Sequence, residues 1–156
     1  MSVVEIHQLE TAKQLLATGE RILALDFGRK RVGVAVSDPL MLSAHGRETI
    51  QYTSRKQLFE KLREVVTNEN IGLIVVGLPR NMDGSEGGMV QLVRTFIDEL
   101  RKHVNLAVIE WDERLSSRQA QRALEEMGIR LQQQRQHVDR VAAIFILQNY
   151  LASLKP

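Results

Sequence analysis

Asp26 is the only carboxylate in the run Arg21-Ile22-Leu23-Ala24-Leu25-Asp26-Phe27-Gly28, and a lone charge in such a strand is costly unless a cation or hydrogen-bond donors meet it. Taken alone, the residue divides evenly between a strand-end acid paired with Lys30 or Arg31 across the next turn and a functional ligand. Asp112 and Glu113 sit just beyond another apolar run, and strand ends on one side of a sheet are where α/β sites assemble. Asp139 opens the last helical stretch, where alone it reads as an acid favoured by the helix dipole. If that helix packs beside the first strand, the three acids converge. Such a cluster suits a hard divalent cation, Mg²⁺ or Mn²⁺, which takes oxygen ligands and leaves positions for water and substrate phosphates. The matching chemistry is phosphodiester hydrolysis, in which two ions about 3.5–4 Å apart activate a water and stabilise the leaving oxygen.

Cations surround each acid. Arg29, Lys30 and Arg31 follow Asp26, Arg80 follows the fourth apolar run, Arg114 adjoins Glu113, and Arg135 and Arg140 flank Asp139. Phosphate contacts are expected of such a distribution, with Lys30, Arg31, Arg80 and Arg114 as the candidates. Aromatic residues make up 4% of the chain, too few for a base-stacking platform, which favours backbone and shape readout. Trp111 is expected to be buried. Of the four histidines, His7, His45 and His103 have no recognisable partner, whereas His137, two positions before Asp139, is a candidate proton shuttle that weighs less than a solvent-facing loop histidine. The loop from Asn81 to Gly87 has the glycines of a segment that closes over substrate, or else caps the next helix through Ser85.

These residues belong to a chain of 156, with 44% hydrophobic and 26% charged residues and a net charge of +2, which is one ordinary domain with its own core. The charge gives no long-range pull on nucleic acid and leaves a local basic patch open. The chain has no cysteine, which excludes a disulfide framework and a thiolate zinc site and makes the cytoplasm the default location. No stretch reaches the ~18 apolar residues of a membrane span, and the N-terminus lacks a signal-like core.

Residues 3–17 have a loose helical period ending at Gly19, so residues 1–20 read as a helical extension and 21–156 as the main domain. The run through Asp26 reads as a buried strand. After the basic turn, Val32, Val34 and Val36 alternate with Gly33, Ala35 and Ser37, giving the second strand of a hairpin with helix backbone close against its small-residue face. Residues 46–52 alternate as an exposed third strand. Ser54 and Gln57 have capping-box spacing before a helix carrying Leu58, Phe59, Leu62, Val65 and Val66. The branched run 71–78 predicts a central parallel strand. A helix marked by Val90, Val93, Ile97 and Leu100 follows, then a fifth strand over 106–110, a helix begun by Ser116 and Gln119, a mobile 130–136 connection, and a buried helix over 138–151. The order β-β-β-α-β-α-β-α-α predicts a ribonuclease H-like α/β fold: an antiparallel three-strand meander, then two parallel strands, flanked by helices. Neither G-x-G-x-x-G nor a P-loop occurs.

Four successive motifs carry a family resemblance: Leu25-Asp26-Phe27-Gly28-Arg29-Lys30-Arg31-Val32-Gly33; Val76-Gly77-Leu78-Pro79 with Met82-Asp83-Gly84-Ser85-Glu86-Gly87; Asp112-Glu113-Arg114-Leu115-Ser116; and Asp139 with Ala142-Ala143-Ile144. From about residue 21 to 151 the chain resembles the YqgF family, also called RuvX, of pre-16S rRNA nucleases. The resemblance implies a ribonuclease H-like fold related to the Holliday-junction resolvase RuvC, metal-dependent endonuclease chemistry, and maturation of the 5′ end of 16S rRNA in the bacterial cytoplasm. It places the family's acids on Asp26, Glu113 and Asp139. In RuvC-like enzymes the second acid follows the fourth strand, where this chain has Pro79-Arg80-Asn81, and Arg135-Gln136-His137 replaces a lysine- and glycine-rich approach to the last acid.

The expectation is a Mg²⁺- or Mn²⁺-dependent endonuclease with Asp26, Glu113 and Asp139 as catalytic metal ligands, acting as monomer or homodimer on precursor rRNA or a ribosomal particle. The alternatives are a resolvase acting on branched DNA and a non-catalytic RNA-binding assembly factor. An Asp-x-Gly hairpin also opens actin-type nucleotide-binding folds, but those need two such domains.

Overall fold

The apolar run that ends at Asp26 and Phe27 forms β1 (Arg21–Phe27), and its neighbour β2 (Arg31–Ser37) folds back along it with Asp26 opposite Gly33 and Phe27 opposite Val32. The computed structural model describes residues 16–79, 87–112 and 135–154, apart from the side chains of 135–139. Gly28 makes the hairpin turn possible, because a Cβ there would lie 2.6 Å from the Arg31 carbonyl oxygen.

The expected third strand is two short pieces, β3 (Ala44–Gly46) and β4 (Ile50–Gln51), both antiparallel to β2. The break follows from Arg47. Its backbone N–H still donates to Val34, but its guanidinium turns away to Glu69, with Nε 2.6 Å from Oε1. Glu69 also lies 3.6 Å from Arg21 at the start of β1, so one carboxylate links three elements. The Arg47 hydrogen bond, opposed by burial and helped by the charges of both arginines, holds the Glu69 carboxyl below its usual range. A carboxylate with a lowered folded pKa contributes stability above its unfolded pKa and loses it as pH falls through the folded one. Glu69→Gln is therefore expected to cost about 1 kcal/mol at pH 7 and almost nothing near pH 3, as read by urea denaturation at the two pH values. An equal loss at both would mean that the charge is irrelevant.

Helix α1 (Arg55–Asn68) begins as its sequence predicts, with Ser54 Oγ accepting from Gln57 N–H. Gln57 reaches back one residue further than a capping box requires, accepting from Thr53 N–H at 2.8 Å. The branched run becomes β5 (Ile71–Leu78), buried at every position, parallel to β1 on one side and to β6 (Ala107–Asp112) on the other. Between them runs α2 (Gly88–His103), whose N-cap is Gly87, so the cap expected from Ser85 is replaced by a residue with no side chain. The last helix, α3 (Arg135–Ser153), starts three residues before the sequence estimate and takes in Arg135 and Gln136 from the expected mobile connection. The sheet order is β3-β2-β1-β5-β6, with β4 also on β2. Antiparallel meander and parallel pair are thus both present. Of the proposed helix at 3–17, residues 3–15 lie outside the described residues and Leu16 and Ala17 are not helical; the proposed helix from Ser116 and the loop 80–86 also lie outside them.

Strand alternation divides the apolar side chains between two layers. Leu23, Leu25, Phe27, Val32, Val34, Ile74 and Val76 face α1 and α2, where Phe96 stacks on Phe27 at 4.4 Å. Ile22, Ala24, Ala35, Leu73, Val75 and Trp111 face α3. The small-residue face of β2 lies in the layer under α3, and at Gly46 on the adjacent strand a Cβ would lie 2.5 Å from the Arg140 side chain and 2.9 Å from that of Ile144. Leu16 packs on this second layer too, against Gly72. Among the described residues, no helix is long and apolar enough to cross a membrane.

Candidate active site

Asp26 is half-buried near the end of β1, and its alternation with Ile22 and Ala24 puts it on the α3 face. The Leu25–Val76 pairing makes Gly77 its neighbour on β5, and Gly33 is its partner on β2. Both flanking positions on that face therefore lack a side chain. The carboxylate stands at a sheet end with a glycine on each neighbouring strand. Its donors are oxygens in a chain without cysteine, which matches a hard divalent cation.

Strand β6 ends at the same edge of the sheet, with Trp111 beside Gly77 and Asp112 beside Leu78. Asp112 belongs to the strand, two residues beyond its expected end, and Glu113 is the next residue, outside the described set. Asp139 lies in the first turns of α3, its side chain also outside that set. The following residue, Arg140, lays its stem across Gly46 and donates from Nε to the Arg47 carbonyl at 2.9 Å. Arg47 N–H in turn donates to Val34, the partner of Leu25. Arg140 is thus a tie that brings the Asp139 turn to the strand level just before Asp26. Further along α3, Tyr150 meets the Trp111 ring edge-on at 5.4 Å. Neither Trp111 Nε1–H nor the Tyr150 hydroxyl has a hydrogen-bond partner among the described residues, and burial pushes Tyr150 up to about 12. Trp111 is a packing residue, as its sequence predicts.

Of the candidate phosphate-binding residues, Lys30 and Arg31 are exposed at the tip of the β1–β2 hairpin, while Arg80 and Arg114 lie outside the described residues. The tip is held by Tyr52, a residue with no role predicted from sequence beyond ending the third strand. Tyr52 donates its hydroxyl to the Gly28 carbonyl at 2.6 Å, and its own N–H to Lys30. Burial raises the Tyr52 hydroxyl above its ordinary range against a weaker pull from Arg55, which keeps it protonated and a donor. A polar-tipped aromatic ending a predicted strand in an aromatic-poor chain was the available signal. Two histidines read as partnerless have partners: His103 stacks on Phe59 at 4.2 Å with its Nδ1 3.4 Å from Arg63, and His45 bonds Ser43 Oγ at 2.8 Å. His137 and its proton-shuttle reading lie outside the described side chains.

A family model described as "RuvX: Holliday junction resolvase" matches residues 20–153, nearly the whole chain. The chain belongs to the RuvX family. Among curated RuvX relatives, one from Thermoanaerobacter pseudethanolicus, named "Putative pre-16S rRNA nuclease", is 41% identical over 86% of this chain and 98% of its own. A second with the same name, from Agathobacter rectalis, is 43% identical over 84% of this chain and 94% of its own. Among solved structures, Thermus thermophilus RuvC in complex with a Holliday junction substrate superposes with a TM-score of 0.55 at 15% identity, covering 85% of this chain and 94% of that one. That likeness shows a shared fold, the ribonuclease H-like one. The RuvX match and the names of its relatives support a nuclease that acts on nucleic acid.

Proposed function

We propose that this RuvX protein is a divalent-metal-dependent endonuclease of precursor 16S rRNA, with Asp26 as the central metal ligand and Glu113 and Asp139 completing the site. The observation that carries this reading is a half-buried carboxylate between two glycines at the sheet end where β6 also terminates, one residue before Glu113. Mg²⁺ or Mn²⁺, when bound, supplies an activated water and charge neutralisation at the scissile phosphate. Asp26 holds and orients the ion, and Lys30, Arg31, Arg80 and Arg114 hold flanking phosphates. The curated relatives' names favour precursor rRNA over branched DNA, and a cytoplasmic location follows from that substrate.

The test is cleavage of a precursor 16S rRNA 5′ end and of a four-way DNA junction by purified protein, with Mg²⁺, with Mn²⁺ and with chelator. Cutting of the RNA, abolished by chelator and restored by metal, is expected. Cutting of the junction alone would select the resolvase reading that the family model's description names. RNA binding without turnover under any metal would select a non-catalytic assembly factor.

A further inference from the structure

The hairpin tip borders an open cleft of about 910 Å³. One wall carries Arg29, Lys30 and Arg31; the other is made by Tyr52, Thr53 and Gln57, where β4 turns into α1. No carboxylate lines it among the described residues, and the side chains of Arg29 and Lys30 are exposed without an ion-pair partner in that set. A second cleft of about 360 Å³ beneath the same strands is different, since Glu48, Glu64 and Glu69 there oppose Arg47 and Lys61. Of these two clefts, the one at the tip carries a single sign among the described residues.

The start of α1 makes the imbalance greater. Its first turn has no acid and begins Arg55-Lys56, so cations stand at the positive end of the helix dipole, each at a cost of about 0.3–1 kcal/mol. Ser54 satisfies the N–H groups of Gln57 and Leu58, which leaves those of Arg55 and Lys56 without an acceptor among the described residues. An anion in the cleft offsets both costs.

The cleft also changes face. Arg31 pairs with Gln51 and shares its alternation with Gly33, on the Asp26 side of the sheet, whereas Tyr52 packs into the layer under α1 and α2. From Asp26 to Arg29 is three residues, at most about 11 Å of chain. Resting on the nuclease reading, we infer that the polynucleotide flanking the cut passes over the hairpin tip and lies in this cleft, with two or three consecutive phosphates held by Arg29, Lys30 and the N-terminus of α1. Tyr52, the one aromatic lining the cleft among the described residues, has its hydroxyl committed to Gly28 and its ring packed on the core, so the cleft has no pair of rings between which a base could stack. The contact is therefore to phosphate and sugar and is independent of sequence.

The test is fluorescence anisotropy of a labelled single-stranded RNA of roughly 12 nucleotides of mixed sequence, in chelator, between about 50 and 200 mM KCl. Arg29→Gln/Lys30→Gln is expected to weaken binding about tenfold and to flatten the slope of log K against log salt by about 1.4, at about 0.7 per single-strand phosphate. Lys102→Gln, in the last turn of α2, which leads to the start of β6 at the end of the sheet away from the hairpin tip, is expected to leave both unchanged. An unchanged affinity and slope in the double variant overturns the cleft assignment, even if metal-dependent cleavage is intact. Cleft-dependent binding by a wild-type protein that cuts nothing with Mg²⁺ or Mn²⁺ overturns the nuclease reading and leaves the cleft standing.

Discussion

Asp26→Asn is expected to lower the rate of metal-dependent RNA cleavage by about 10³-fold or more while leaving the fold and most of the RNA affinity in place. The substitution keeps the shape of the side chain and removes its charge at a half-buried position between Gly33 and Gly77. Neither strand neighbour contributes a side chain on that face, so neither can take over the lost ligand. Metal-ion stabilisation of a phosphoryl transition state is worth several kcal/mol, and each 1.36 kcal/mol is a factor of ten in rate. RNA affinity is expected to persist because phosphate contacts come from cations at the hairpin tip and elsewhere. Single-turnover cleavage, with the variant's circular dichroism and anisotropy beside it, separates these effects. Cleavage within tenfold of wild type by a variant free of contaminating nuclease would remove Asp26 from the site.

The second large effect is on stability. Phe96 of α2 is fully buried and stacks on both Phe27 (4.4 Å) and Phe59 (5.9 Å), joining the helix layer to the strand residue that follows Asp26. Phe96→Ala removes both ring contacts from a closed core, at a cost of about 3–5 kcal/mol for the lost burial and the cavity. Against a typical total of about 5–15 kcal/mol, that is a large fraction, and a fall in Tm of roughly 10–20 °C follows. Since Phe27 and Asp26 are consecutive, the variant is also expected to lose cleavage at temperatures below its own melting point. A loss under about 1 kcal/mol would mean that the core closes over the gap.

The strand order was readable because β1, β2 and β5 have little freedom: continuous branched runs must be covered on both faces, and a Val/Gly-Ala alternation assigns each face its neighbour. The third strand misled because alternation at residues 46–52 carries no sign of the Arg47–Glu69 pair, a contact between residues 22 apart in sequence that pulls the strand in two. The partners of His103, which is exposed, went unseen for the same reason, as they lie on another helix. At the site, Asp26 stood out because a charge inside an apolar run is anomalous by composition alone. Tyr52 did not, because its role is set by a turn that brings Gly28 within reach. The tie made by Arg140 was not readable because sequence gives the company a cation keeps along the chain and says nothing of the carbonyl it reaches across the fold.

Gly46 and Arg140 have a bearing on how such a chain can change over generations. The arginine stem occupies the space a side chain at position 46 would need, so the first turns of α3 rest on the absence of one carbon atom on a neighbouring strand. A lineage that acquired alanine at 46 would first have to shorten residue 140, and in doing so would release the helix turn that carries Asp139. The two positions are therefore expected to drift as a pair, and relatives that replace one should be found to have replaced the other.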